Sequence, residues 1–205
     1  MPFSTFDELQ AAIASWAIRS DLTSQIPDFI VLAEARINAE PNFRVRQMIA
    51  QATGSFTTGE STLAQPSDFL GVSLFQVASN PVVVLELRPA GQAVATDTGT
   101  VGGPKVYAIV GTDFEILPPP DSSYTYTLDY YATLTPLSDD DPTNWLLAKA
   151  PNLYLYASLM DLWIFLQDDE QLVRYTAAYE SLRDKLIAAD KRAGISSSPL
   201  VARVA

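Results

Sequence analysis

The side chains that could do chemistry in this chain are its carboxylates, because the two most versatile catalytic side chains are missing. The 205 residues contain no histidine and no cysteine. Without histidine the commonest general base and metal ligand is gone. Without cysteine there can be no disulfide and no thiolate metal site. Serine triads and zinc-dependent hydrolysis in their usual forms are therefore excluded. Two acidic clusters remain, Asp139, Asp140 and Asp141, then Asp168, Asp169 and Glu170. Hard cations such as Ca²⁺ or Mg²⁺ prefer carboxylates. Three consecutive side chains, however, point in different directions, and the spacing of a calcium loop, with its central glycine and closing glutamate, is absent. The second cluster is explained by a helix cap and a favourable helix-start dipole. A two-carboxylate glycosidase finds no supporting cleft motif. Gly99, Gly102 and Gly103 do not form a phosphate loop, since no Gly-Lys-Ser or Gly-Lys-Thr follows and Pro104-Lys105 leads into a strand. No enzyme activity, metal or cofactor is expected.

The bulk properties point the same way. A 48% hydrophobic content is that of a folded protein, and the length suffices for one substantial core or a core with an annex. Charged residues are sparse at 18%, which fits burial in an assembly. The net charge of −11 repels free phosphate backbones, so a conventional nucleic-acid binder is excluded. Around a DNA channel the same repulsion would keep DNA from sticking as it slides; for most of these charges the preferred reading is the plainer one, that they keep the protein dispersed. Residues 1–22 lack a basic start and an unbroken apolar run, so no signal peptide is expected. The longest apolar stretch, residues 153–166, is too short to span a bilayer and carries Ser158 and Asp161. The expectation is a protein made and kept in the cytosol until assembly, with no membrane partner.

Hydrophobic spacing divides the chain into three parts. At the N-terminus, Phe6, Leu9, Ile13, Trp16 and Ala17 recur at helical steps behind a Ser4 or Thr5 cap, with Glu8 placed to complete a capping box from Thr5. Ser20-Asp21 ends this helix. A second helix starts near Pro27, carries Phe29, Ile30, Ala33 and Ile37 on one stripe, and stops before Pro41. Arg44 and Arg46 then stand two apart, so an extended strand would point both to one face. Either they contact acidic groups on a neighbouring subunit or they lie on a solvated strand face.

From Gln47 to Thr135 the helical period disappears and Thr, Val, Tyr and Phe dominate. Hairpins are expected around Gly59-Glu60, around Ser79-Asn80-Pro81 between strands at residues 72–78 and 82–87, and around Gly111-Thr112-Asp113. Pro118, Pro119 and Pro120 should end strand pairing. The row Tyr124, Tyr126, Leu128 and Tyr130 alternates as one strand face and reads as core. Residues 88–103 are expected as a long polar loop with a helical turn at residues 90–95.

Helix returns after Thr143, expected as a cap, and Pro151 should kink or restart it. Residues 153–166 leave few polar faces, so this helix should be the buried central one. Asp168 with Gln171 reads as a capping box for a last helix, in which Leu172, Tyr175, Tyr179, Leu182, Leu186 and Ala189 form a seam. The seam should pack on the preceding helix as an antiparallel hairpin. Gly194 can close the helix. Residues 195–205 have no core pattern. The expected class is α+β: a helical bundle at 1–46 and 136–194, an inserted antiparallel β domain at 47–135, and an extended tail at 195–205.

Three strings carry a resemblance. They are IPDFIVLAEARINAEPNFRVRQM, the middle run GGPKVYAIVGTDFEILPPP with YTLDYYATLTPLS, and TNWLLAKAPNLYLYASLMD followed by QDDE. Together they resemble the head-to-tail connector adaptor family of tailed phages. The resemblance implies a structural virion protein of the neck that binds the portal as a homo-oligomeric, dodecameric ring. The ring would extend the channel through which genomic DNA passes without sequence-specific binding, and would present a surface to a tail or nozzle protein. It implies a C-terminal tail docking on the portal, with Leu200, Val201, Arg203 and Val204 as contacts, and Arg44 and Arg46 at a subunit interface. Trp163-Ile164-Phe165 is more apolar than that family pattern leads one to expect and points to a different neighbour contact. Two other classes stay open: another neck protein, for head completion or tail termination, and a non-viral α+β ligand-binding domain.

Overall fold

The structure, a computed structural model, describes residues 3–92 and 100–195. It is α+β, and its contacts divide the chain into two compact units. One comprises residues 1–47 and 134–205, the other residues 48–133.

The first unit is helical. Helix α1 (Phe6–Ala17) starts at Thr5, whose hydroxyl accepts the Glu8 N–H at 3.3 Å. The return bond of the capping box goes one residue further back: the Glu8 carboxylate accepts the Ser4 N–H at 2.7 Å and the Ser4 hydroxyl at 3.0 Å. Ile18 closes the helix in the left-handed conformation, earlier than Ser20-Asp21. Helix α2 (Ile26–Ala39) has its proline in the first turn and buries Phe29, Ile30, Ala33, Glu34 and Ile37. Helix α3 (Trp145–Lys149) is capped by Asn144 and not by Thr143. The amide oxygen of asparagine reaches the Leu147 N–H at 2.9 Å, three residues on, and from Thr143 that donor lies one residue out of register. Pro151 restarts the chain as helix α4 (Pro151–Leu166), where its missing N–H leaves no bond unmade. Residues 153–155 and 157–162 of α4 are buried, and it packs against α1, α2, α3 and α5. Helix α5 (Asp169–Ile195) starts where the Asp168 carboxylate accepts the Gln171 N–H at 3.1 Å. It folds back along α4: Trp163 stacks on Tyr175 at 6.3 Å, while Pro151 and Leu186 line one shallow pocket. Gly194 lies inside the helix and does not end it.

The second unit holds two four-stranded sheets. The strands are β1 (Ile49–Ser55), β2 (Thr62–Ala64), β3 (Phe69–Val77), β4 (Val83–Val84), β5 (Glu86–Leu87), β6 (Val106–Val110), β7 (Asp113–Leu117) and β8 (Thr125–Ala132). One sheet has the order β1-β8-β3-β4 and is antiparallel. The other has the order β2-β7-β6-β5 and is mixed, because β5 runs parallel to β6. The β region is therefore not purely antiparallel. The stretch expected as one strand at 82–87 is two, divided at buried Leu85, and the chain passes there from one sheet to the other. Likewise, Gly59-Glu60 joins no hairpin: β1 pairs with β8 and β2 with β7. A turn signal reports that the chain changes direction, and here it changes sheet. The β6–β7 hairpin forms as expected around Gly111-Thr112, with Val110 opposite Asp113. Gly111 at φ 62 in the first turn position suits the right-handed twist of the pair.

The sheets face one another across a shared apolar layer. Phe75, Val77, Leu128 and Tyr130 come from the first sheet, and Tyr107, Phe114 and Ile116 from the second. Phe69 meets Phe114 edge-on at 5.2 Å, and Phe75 meets Tyr107 at 5.3 Å, the geometry that aromatic quadrupoles favour. Residues 90–92 are helical, and Ala90 covers Val106, Ala108 and Leu117 on the outer side of the second sheet. Residues 93–99 of the expected loop and turn lie outside the described residues.

Gly54 is required by the ring opposite it. A Cβ there would lie 2.6 Å from the Tyr126 hydroxyl oxygen, and Tyr126 is pinned by Phe56 and Phe75 at 4.9 and 5.8 Å. Gly54→Val should cost about 1–3 kcal/mol. Gly71→Ala, with open space at its Cβ, is the control. Urea denaturation checks this, and a Gly54→Val midpoint equal to the control contradicts it.

Candidate interaction surfaces

Helix α2 carries the polar groups that hold the helical unit together. The Glu34 carboxylate is buried and accepts the Leu137 N–H at 2.8 Å and the Tyr154 hydroxyl at 2.9 Å. The Asn144 amide donates to the Tyr154 oxygen at 2.6 Å and to the Thr135 carbonyl at 2.8 Å. Asn38 accepts the Leu134 N–H at 2.9 Å. One side of α2 thus pins the irregular segment 134–144 and, through Tyr154, helix α4. Arg36 pairs with Asp161 of α4. Glu40 accepts the Tyr179 hydroxyl at 2.7 Å and Arg183 at 3.3 Å, both from α5.

Burial sets the electrostatics of this network. It pushes the Glu34 carboxyl up, against the two hydrogen bonds that favour its charge. It pushes Asp161 up likewise, with Arg36 opposing. The Tyr154 phenol is raised by burial and by the Glu34 charge beside it. These bonds join α2 to the segment 134–144, to α4 and to α5.

The opposite side of α2 is unusual. Asp28, Val31, Leu32 and Ala35 share it at helical steps, and Val31 and Leu32 are 56% and 52% exposed. Val31 and Leu32 thus add an exposed apolar stripe beside the core stripe of α2. At the end of α4, Ile164 and Phe165 are 51% and 56% exposed, and Phe165 lies 5.7 Å from Phe29 of α2. Ile18 is 89% exposed at φ 54, a strained conformation for a β-branched residue. Large contiguous apolar patches of this kind are where partner contacts are sought.

Arg44 and Arg46 are not on a strand. Arg44 donates to the carbonyls of Glu40 and Phe43 at 2.8 and 2.9 Å, closing the end of α2, and Arg46 sits in a single 3-10 turn (Arg46–Met48). Arg46 pairs with Asp190 of α5 at 3.0 Å. Open carbonyls at the end of α2 and a carboxylate of α5 thus engage both arginines, and the Arg46 side chain stays 49% exposed. Leu200, Val201, Arg203 and Val204 lie outside the described residues. Sequence reasoning missed Val31 and Leu32, although a second apolar stripe beside the core stripe of α2 was there to be seen. It did single out Ile164 and Phe165.

In the β unit a groove of about 650 Å³ lies against β4 and β5, the outermost strands of the two sheets. Val83, Val84, Leu117 and Pro118 line it, with Arg88 and Lys105 among the wall residues. Arg88 pairs with Glu86 at 3.3 Å.

Compared with known families, residues 4–203 match the SU10 adaptor protein family. The chain belongs to that family. It is therefore a phage adaptor, a structural and non-catalytic component of the virion. A comparison with curated proteins finds no match. No helix among the described residues is long and apolar enough to cross a membrane. An adaptor works by contact, so the surfaces above, and not a cleft, are where its function is to be sought.

The Glu34 network makes a pH prediction. A folded-state carboxyl raised above its unfolded value stabilises most below the unfolded pKa, and that stability is lost as pH rises through the folded one. Glu34→Gln should therefore gain in stability relative to the natural protein between pH 5 and pH 8. Paired thermal melts at the two pH values test this; a difference that is flat or of opposite sign contradicts it. Glu34→Ala, which orphans the Leu137 N–H and the Tyr154 hydroxyl, should cost about 1–3 kcal/mol at either pH.

Proposed function

We propose that this adaptor sits at the head-to-tail junction, binds the portal as a dodecameric ring, extends the DNA channel and offers the attachment surface for a tail or nozzle protein. The observation that carries the reading is the solvent-facing apolar surface on α2 and α4, Val31, Leu32, Ile164 and Phe165, on a chain of adaptor lineage. Such a surface is unfavourable on a solitary protein and fits one that ends enclosed by neighbours. The helical unit is the ring body and the β unit the tail-facing part. The segment after α5 docks on the portal through Leu200, Val201, Arg203 and Val204. A net charge of −11 fits a channel wall that must repel sliding DNA rather than bind it.

The test is to mix the purified chain with its cognate portal and weigh the complex by native mass spectrometry, with and without residues 195–205. A discrete ring-sized stoichiometry, lost on truncation, is expected. Absence of binding to assembled portal overturns the reading and points to another neck position. Val31→Asp with Leu32→Asp should abolish the ring while changing monomer stability by no more than about 0.5 kcal/mol, since both side chains face solvent. A normal ring from that variant contradicts the role given to α2.

A further inference from the structure

The β unit has an uneven charge distribution. Between Met48 and Thr133 stand eight acidic side chains and two basic ones, Arg88 and Lys105. Both basic residues border the one groove beside β4 and β5. Lys105 makes no ion pair among the described residues, and Arg88 has only Glu86, itself 71% exposed. The groove is apolar as well: Val84 and Val101, which line it, are each more than half exposed. Outermost strands are normally blunted by charge, proline or cover. Here β4 presents two valines and only β5 carries a charge, that of Glu86. Two cations beside an apolar wall suit an acidic segment of a partner.

The helical unit exposes such a segment. Residues 139–143 are all exposed, and the carboxylates of Asp139, Asp140 and Asp141 make no ion pair among the described residues. Asp141 touches Ser138 only through its backbone, donating its N–H at 3.0 Å and accepting the Ser138 N–H at 3.1 Å. The other acidic cluster is already employed, because Asp168 caps α5. Three adjacent unpaired carboxylates on a protein of this charge repel one another, and a cationic neighbour removes that cost.

We infer that the groove of one copy receives the acidic turn at residues 139–143 of the next copy, so that Arg88 and Lys105 meet Asp139, Asp140 and Asp141 between subunits. The contact is head-to-tail, joining different surfaces of identical chains, the kind that closes a ring. It rests on the adaptor reading for the presence of many copies, and names the neighbour contact within it. Charge complementarity sets which copies pair and in what register.

The experiment uses the full chain titrated onto cognate portal, with ring formation read by native mass spectrometry. Three variants are compared with the natural protein. One is Arg88→Glu with Lys105→Glu; another is Asp139→Lys, Asp140→Lys and Asp141→Lys; the third combines all five changes. Each partial variant should need about tenfold more protein to complete the ring, and the combined one should recover to near the natural level, because every interface is then reversed and complementary. A normal ring from either partial variant overturns the inference while leaving the adaptor reading intact. So does a combined variant that folds by circular dichroism yet recovers nothing, which would assign the groove to an acidic tail-side protein. If the natural chain itself forms no ring, the adaptor reading fails first and this contact with it.

Discussion

A buried carboxylate must find donors, and in this protein that requirement organises the helical unit. Glu34 is placed inside by the helical spacing of Ile30, Ala33 and Ile37 around it. Its donors are a backbone N–H of the segment leaving the β unit and a phenol of the central helix. The phenol in turn fixes Asn144, whose other atoms cap α3 and hold Thr135. Buried polar networks of this sort specify one arrangement at the cost of stability, because each member is costly when left alone. The inner side of α2 is therefore committed to polar bonds and core contacts, while its outer side remains apolar and uncovered.

That division explains how an acidic, non-catalytic chain can act. A member of an adaptor family acts through contacts, and these lie on its surfaces. The helical unit supplies an apolar surface, with Val31, Leu32, Ile164 and Phe165, and a strained, exposed Ile18. The β unit supplies a groove carrying the only two cations of residues 48–133. Long-range repulsion from the remaining charge disfavours chance association of copies.

Much of this was legible in the chain. Thr5, Pro151, Asp168 and the Gly111-Thr112 turn each act through a local rule, and local rules survive folding. The row Leu128 and Tyr130 is core because alternation on a strand dictates it. What failed was non-local. The partner of β1 is 70 or more residues away, and nothing in Gly59-Glu60 announces it. Leu85 divides a continuous apolar run because the chain crosses between sheets there, and the run alone looks like one strand. Arg44 and Arg46 alternate as a strand would, but the open carbonyls at the end of α2 and Asp190 of α5 capture them. Surfaces were the least legible, since an apolar stripe reads as core until the structure leaves it bare, as on α2. The family resemblance, resting on whole strings and not on single residues, agrees with the match over residues 4–203.

The central claim is that bare apolar surface on the helical unit exists to be covered in an assembly. A side-chain-resolution image of the chain bound to its cognate portal tests it most directly. The account predicts a ring in which Val31, Leu32, Ile164 and Phe165 are buried against a neighbouring chain. A bound ring that leaves all four in solvent would contradict it.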